Sequence, residues 1–113
     1  MNELRYFKLK NKGAFVARMR ILWNAVDDTG KKYSGEYEPS GYHDICAEAE
    51  RIIDLTDANI PNGAEVYLKA IVVMGKDNTA SERYIYQKNS AMTASYEISK
   101  TTLNNKLELV SYK

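Results

Sequence analysis

One cysteine, Cys46, stands in this chain of 113 residues, so no disulfide can form within it. A free thiol suits a reducing compartment without excluding export. A basic excess is missing as well. Sixteen Lys and Arg face 15 Asp and Glu, a formal net charge of +1, which argues against a nucleic-acid binder of this size. No long hydrophobic run is present: the longest, Ala70-Ile71-Val72-Val73-Met74, has the length of a strand and not of a membrane-crossing helix. The first residues, Met1 to Tyr6, carry no apolar segment of the secretory kind, and no Asn-x-Ser/Thr acceptor occurs. The localisation expected from these absences is the cytoplasm, or release without a cleaved signal. Phe and Trp are scarce, at two and one, whereas there are nine Tyr. Tyr has an apolar body and a polar tip, so it suits half-buried strands first and ligand-facing loops second.

What is present is alternation with a period of two. Leu4 to Lys10 reads as one strand closed by the turn Asn11-Lys12-Gly13. In the next segment Phe15, Ala17, Met19, Ile21 and Trp23 share a face, with Arg18 and Arg20 opposite, the pattern of a sheet packed on one side. Asp27-Asp28-Thr29-Gly30 is a turn and Lys32 to Tyr37 a weaker strand. Glu38 to Gly41 is loop chemistry, and Asp44 to Arg51 is ambiguous with a lean to strand. Ile60-Pro61-Asn62-Gly63 turns the chain into the clearest strand, Glu65 to Met74, with Val66, Leu68, Ala70 and Val72 on one face. Arg83–Gln87, Thr93–Ser99 and Leu107–Tyr112 complete the set. Seven or eight short strands with turns every eight to twelve residues predict an all-β fold, an antiparallel β-sandwich with immunoglobulin-like layering, formed by residues 1–113 as a single domain. A barrel is the competing architecture.

Catalytic and metal-binding signatures are thin. His43 and Cys46 are the only His and Cys, two ligands where a structural zinc site needs four. In extended chain their spacing of three puts them on opposite faces, which does not suit a Cys–His catalytic pair. Asp27-Asp28 and Asp54 with Asp57 lack a calcium-loop spacing, and no glycine-rich phosphate cradle opens a helix. Arg18 and Arg20 are expected to pair with carboxylates across the sheet. The reading is therefore a non-enzymatic protein without cofactor or metal. The segment that stands out is Lys100-Thr101-Thr102-Leu103-Asn104-Asn105, between two alternating stretches. Two hydroxyls beside a leucine on a loop tip suit an amphipathic ligand such as a sterol, a glycan or a lipid headgroup. The plainer account makes Thr101 and Thr102 strand-end residues and Leu103 a plug at the base of the core.

These segments resemble the C-terminal membrane-recognition domain of the cholesterol-dependent (thiol-activated) cytolysins. That family carries a Gly-Ala-Tyr-Val-Ala-Arg-Phe-like strand leading to a Trp, and this chain has Gly13-Ala14-Phe15-Val16-Ala17-Arg18-Met19 and then Trp23. The family's Gly-Thr-Thr-Leu before its last strand is matched by Lys100-Thr101-Thr102-Leu103, with Lys100 in place of the glycine. Ile52-Ile53-Asp54-Leu55 and Ile60-Pro61-Asn62-Gly63-Ala64 resemble its middle strands and turn. The Trp-rich undecapeptide with the family's cysteine should follow Val72-Val73-Met74. Instead there is the polar Gly75 to Arg83, and Cys46 lies elsewhere. The resemblance implies a standalone sandwich that recognises a membrane surface, sterol or glycan through Thr101, Thr102 and Leu103, acting with a separate pore-forming partner and without forming pores alone. The alternative is a structural protein that self-assembles into a homo-oligomer or inclusion, which its near-neutral charge favours.

Overall fold

The computed structural model describes all 113 residues and consists of two β-sheets packed face to face. Ten strands follow in order: β1 (Asn2–Leu4), β2 (Tyr6–Asn11), β3 (Ala17–Val26), β4 (Lys32–Tyr37), β5 (Glu50–Asp54), β6 (Glu65–Val72), β7 (Asn78–Thr79), β8 (Tyr84–Tyr86), β9 (Thr93–Lys100) and β10 (Asn105–Tyr112). One sheet has the order β1-β8-β6-β3-β4, with β7 beside β6, and the other β10-β9-β2-β5. The expected all-β sandwich is present, with ten strands where the alternation suggested seven or eight. Both sheets are mixed, because β1 runs parallel to β8 and β2 parallel to β9.

The extra strands arise where alternation runs through a corner. Leu4 to Lys10 reads as one strand, but Leu4 and Phe7 are both fully buried, three residues apart, so the phase slips between them. At that slip the chain leaves one sheet for the other. Arg5 fixes the corner: its backbone N–H donates to the Met92 carbonyl and its carbonyl accepts from Leu55 N–H. Its guanidinium forks onto Asp54, Nε to Oδ1 at 3.0 Å and Nη2 to Oδ2 at 2.9 Å. Asp54 also accepts from Thr56 N–H and caps the 3-10 turn Leu55–Asp57.

The core lies between the sheets and takes the predicted faces. Ala17, Met19 and Ile21 of β3 lie beside Val72, Ala70 and Leu68 of β6 in the same sheet, with Ala94, Tyr96 and Ile98 of β9 in the other sheet. Trp23 is half-buried, its ring lying over Gly35 so closely that a Cβ there would come within 2.6 Å of it. Tyr residues fasten the two layers. Phe7 meets Tyr84 edge-on at 5.6 Å, and the Tyr84 and Tyr96 hydroxyls lie 2.8 Å apart, with Tyr96 donating onward to Glu82 at 3.1 Å. Burial and this hydroxyl pair drive the Tyr96 pKa far above the ordinary phenol value. On the outer face Arg18 pairs with Asp44 and Arg20 with Glu38, both at 2.5 Å, as the spacing predicts.

The Asp54 carboxyl sits well below its usual range, chiefly because Arg5 hydrogen-bonds its charged form. A depressed folded-state pKa contributes stability that is complete above the unfolded value, about 4, and fades as the pH falls below it. Asp54→Ala is expected to cost about 1–3 kcal/mol at neutral pH by losing a forked charged pair and a cap. In acid titrations of thermal stability, Asp54→Asn should lose part of the wild type's fall below about pH 4.

Candidate functional site

Strand register gathers four connections at one end of the sandwich. Ala17 pairs with Val72 and Asn11 with Ile98, so the start of β3 and the ends of β2, β6 and β9 lie together. The connections there are residues 12–16, 45–49, 73–77 and 101–104. Chain positions 1 and 113 lie at the opposite end, where Asn2 pairs with Tyr84 and Thr93 exchanges backbone hydrogen bonds with Lys113.

Asn11 organises the first two connections. It is fully buried at the end of β2, where alternation points it inward. Its side-chain N–H groups donate to the carbonyls of Phe15 at 2.5 Å and Ile45 at 2.9 Å, while its oxygen accepts from Gly13 N–H at 2.9 Å. Its backbone bonds Ala49 and Glu48. Residues 44–49, read as leaning to strand, form only an isolated bridge, Ile45 to Ala17, followed by a turn in which Glu48 takes φ +68°. The polar hub supplies the hydrogen bonds that a strand would otherwise make.

The other two connections are locked to each other. Lys76 N–H donates to the Thr102 carbonyl at 2.8 Å, and Asn105 Nδ2 donates to the Lys76 carbonyl at 2.6 Å and to that of Thr102 at 3.3 Å. Gly75 makes this approach feasible, since a Cβ there would stand 2.4 Å from the Thr102 carbonyl oxygen. The three residues singled out in sequence are brought together on the second of these loops. Leu103 is 74% exposed, so it does not plug the core. Thr101 is exposed and its hydroxyl is taken up by the turn, accepting from Asn104 N–H at 3.2 Å. Thr102 is half-buried, its carbonyl engaged by the neighbouring loop, and its hydroxyl has no intramolecular partner.

Sequence reasoning missed Met74. Read as the last residue of a strand, it lies beyond the end of β6 with φ +59° and is 95% exposed. The strand stops at Val72 because Gly75 N–H turns back to the Val72 carbonyl and Asp77 Oδ1 accepts from Val72 N–H. The glycine after an apolar run was the available signal. Met74 thus stands in solvent at the start of the connection that Lys76 ties to Leu103's loop. Lys100 takes φ +75°, the left-handed region that the glycine of the resemblance would occupy without strain.

The remaining titratable candidates serve structure. His43 Nε2 lies 3.1 Å from Glu38, whose carboxyl is held below its ordinary value by Arg20 and His43 despite partial burial. Cys46 lies against the Tyr42 hydroxyl at 3.8 Å and not against His43. Asp27 closes its turn by accepting from Thr29 and Lys31, and no group of three metal-ligating side chains converges anywhere.

With that geometry in view, solved structures give the fold a kind. It is the fold of a sandwich module within cholesterol-dependent cytolysins. Listeriolysin O is similar at 18% identity with a TM-score of 0.52, over 94% of this chain and 22% of that one. Intermedilysin is similar at 17% identity with a TM-score of 0.51, over 96% of this chain and 23% of that one. A disulfide-locked intermedilysin mutant solved with human CD59 gives 16% and 0.52, with 96% and 24% coverage. The chain thus spans less than a quarter of the length of these toxins. No protein-family model matches it, and no curated protein matches it in sequence.

Gly75→Ala is expected to cost about 1–3 kcal/mol by forcing the two loops apart. The Lys76 amide should then exchange with solvent faster than in the wild type. Lys100→Gly should instead raise stability by about 0.5–1 kcal/mol, since relief of left-handed strain exceeds glycine's entropy cost. Denaturant midpoints read both.

Proposed function

We propose that this chain is a non-catalytic module that settles on a membrane surface through the end bearing Thr101, Thr102 and Leu103, and recognises a sterol or glycan there. The observation that carries the reading is Leu103, a large apolar side chain held in solvent on a turn braced by hydrogen bonds at Thr101, Thr102 and Asn104. An exposed leucine on a braced loop stabilises nothing within the chain, but would lose its contact with water in a lipid layer. The fold shared with listeriolysin O and intermedilysin supports the reading, as does the resemblance of Lys100-Thr101-Thr102-Leu103 to the family's Gly-Thr-Thr-Leu, whose Thr-Leu pair, here Thr102 and Leu103, is its sterol-recognition element.

Within the trio the roles divide by geometry. Thr101 shapes the turn, Thr102 offers its free hydroxyl to a ligand hydroxyl, and Leu103 covers the apolar side. Burial of one leucine supplies about 2–3 kcal/mol, so further contacts must share the work, and Met74 on the adjoining loop is placed to do so. A module of this kind would serve to deliver or position a pore-forming partner. Self-assembly gains less support, because the free edge strand β10 sets charged Lys106 and Glu108 along it, the usual guard against edge pairing.

Vesicle co-sedimentation with and without cholesterol, alongside a glycan array, tests the proposal. Leu103→Asp should weaken vesicle capture by at least about 30-fold, and Thr102→Val should act only where a hydroxyl-bearing ligand is present. Equal capture of wild type and Leu103→Asp, or no capture on any vesicle or glycan, overturns it.

A further inference from the structure

The cations of this protein fall into two groups. Four of the five arginines are paired with carboxylates on the flanks: Arg5 with Asp54, Arg18 with Asp44, Arg20 with Glu38 and Arg83 with Glu65. The fifth, Arg51, donates to the Asp44 carbonyl and lies over the Tyr42 ring. The lysines are deployed differently: apart from Lys8 and Lys106 none forms an ion pair, and Lys31, Lys32, Lys88 and Lys113 are exposed and unpaired elsewhere on the surface. What sets the Leu103 end apart is that unpaired lysines stand there beside exposed apolar side chains. Lys12, Lys76 and Lys100 are exposed and none forms an ion pair. Their backbones fix them around the two apolar apices. Lys12 N–H bonds the Ile98 carbonyl beside the end of β9, Lys100 closes β9 just before Thr101, and Lys76 N–H bonds Thr102. Lys106 stands opposite Ser99, paired with Glu108 at 3.4 Å. The carboxylates in these four connections are Glu48 and Asp77, and Asp77 is turned back onto Val72 N–H.

We propose that this end docks on a bilayer bearing anionic headgroups, with Met74 and Leu103 entering the apolar layer and Lys12, Lys76 and Lys100 meeting the lipid phosphates and carboxylates. Charge complementarity selects this occupant: a pair of apolar apices among free lysines suits an anionic lipid layer, whereas a neutral sterol surface gives the lysines nothing to bind. The physical logic is that of two weak anchors. One or two apolar side chains bind a bilayer marginally, and a few lysines at an anionic surface add the second contribution. The inference rests on the membrane reading above and specifies the lipid.

The full chain is mixed with vesicles of phosphatidylcholine alone, with phosphatidylserine, with cholesterol, and with both, and the bound fraction is measured by flotation. Phosphatidylserine should raise binding, and added salt should reverse that gain. Lys76→Gln with Lys100→Gln should lower capture on serine-containing vesicles by about 25-fold, roughly fivefold per lysine. It should leave capture on neutral cholesterol vesicles unchanged. Lys32→Gln with Lys88→Gln, at the other end, is the matched control and should change neither. Capture indifferent to phosphatidylserine, or equal loss in both double variants, overturns the inference. If cholesterol vesicles still bind and release Leu103→Asp, the membrane reading survives that result. Binding to no vesicle removes both.

Discussion

Between the two sheets, at the end where the loops gather, the amide of Asn11 answers two carbonyls and one N–H that have no other side-chain partner. Those groups belong to segments 12–16 and 45–49, which are too irregular to satisfy themselves. A buried polar backbone is costly unless it is paired, so a single side chain converts two wandering connections into a fixed floor. Upon that floor the adjoining pair of loops is stitched by Asn105 and by the close passage of Gly75 beneath Thr102. The outcome is an end made of loops that are hydrogen-bonded to one another and to the strands that feed them. Leu103 and Met74 are exposed there on connections hydrogen-bonded to each other.

Electrostatics are arranged to match. Carboxylates on the flanks are consumed by arginines and by turn capping: Asp54 with Arg5, Asp44 with Arg18, Glu38 with Arg20, Asp27 within its own turn. These pairs lie at the rims of the sheets, where they fix corners and edges and not the core. A net charge close to zero therefore hides a division of labour, with most arginines tied to carboxylates and most lysines left unpaired, three of them around the exposed Met74 and Leu103. Composition alone reports the sum and conceals the arrangement.

Much of the architecture was legible in the residues. The alternation of β3 and β6 named their buried faces, and the pairing of Arg18 and Arg20 with carboxylates followed from their common outward side. The loop at Thr101–Leu103 was legible as a loop because two alternating runs flank it. Other features were not. Parallel pairing of β2 with β9 leaves no mark in either strand, since register between distant segments depends on the whole core. Asn11 read as a turn residue because Asn-Lys-Gly is turn chemistry, whereas its inward phase at the end of β2 was the overlooked sign. Met74 followed four apolar residues and was absorbed into their run, although Gly75 beyond it marked the reversal. The left-handed backbone at Lys100 could only be suspected by setting it against a glycine in the resembling family.

The parallel neighbours impose an order of events on the growing chain. β1 must wait for β8 and β2 for β9, segments that follow them by more than 80 residues: Asn2 pairs with Tyr84 and Tyr6 with Thr93. A meander could close hairpin by hairpin behind the ribosome, but this topology leaves β1 and β2 without their parallel partners until β8 and β9 have been made. Such distant pairing slows folding and prolongs the exposure of sticky strand. The polar alternate positions of β2, Tyr6, Lys8 and Lys10, keep that waiting strand soluble on one side. Its opposite side, led by Phe7 and Leu9, is the surface a chaperone would have to shield.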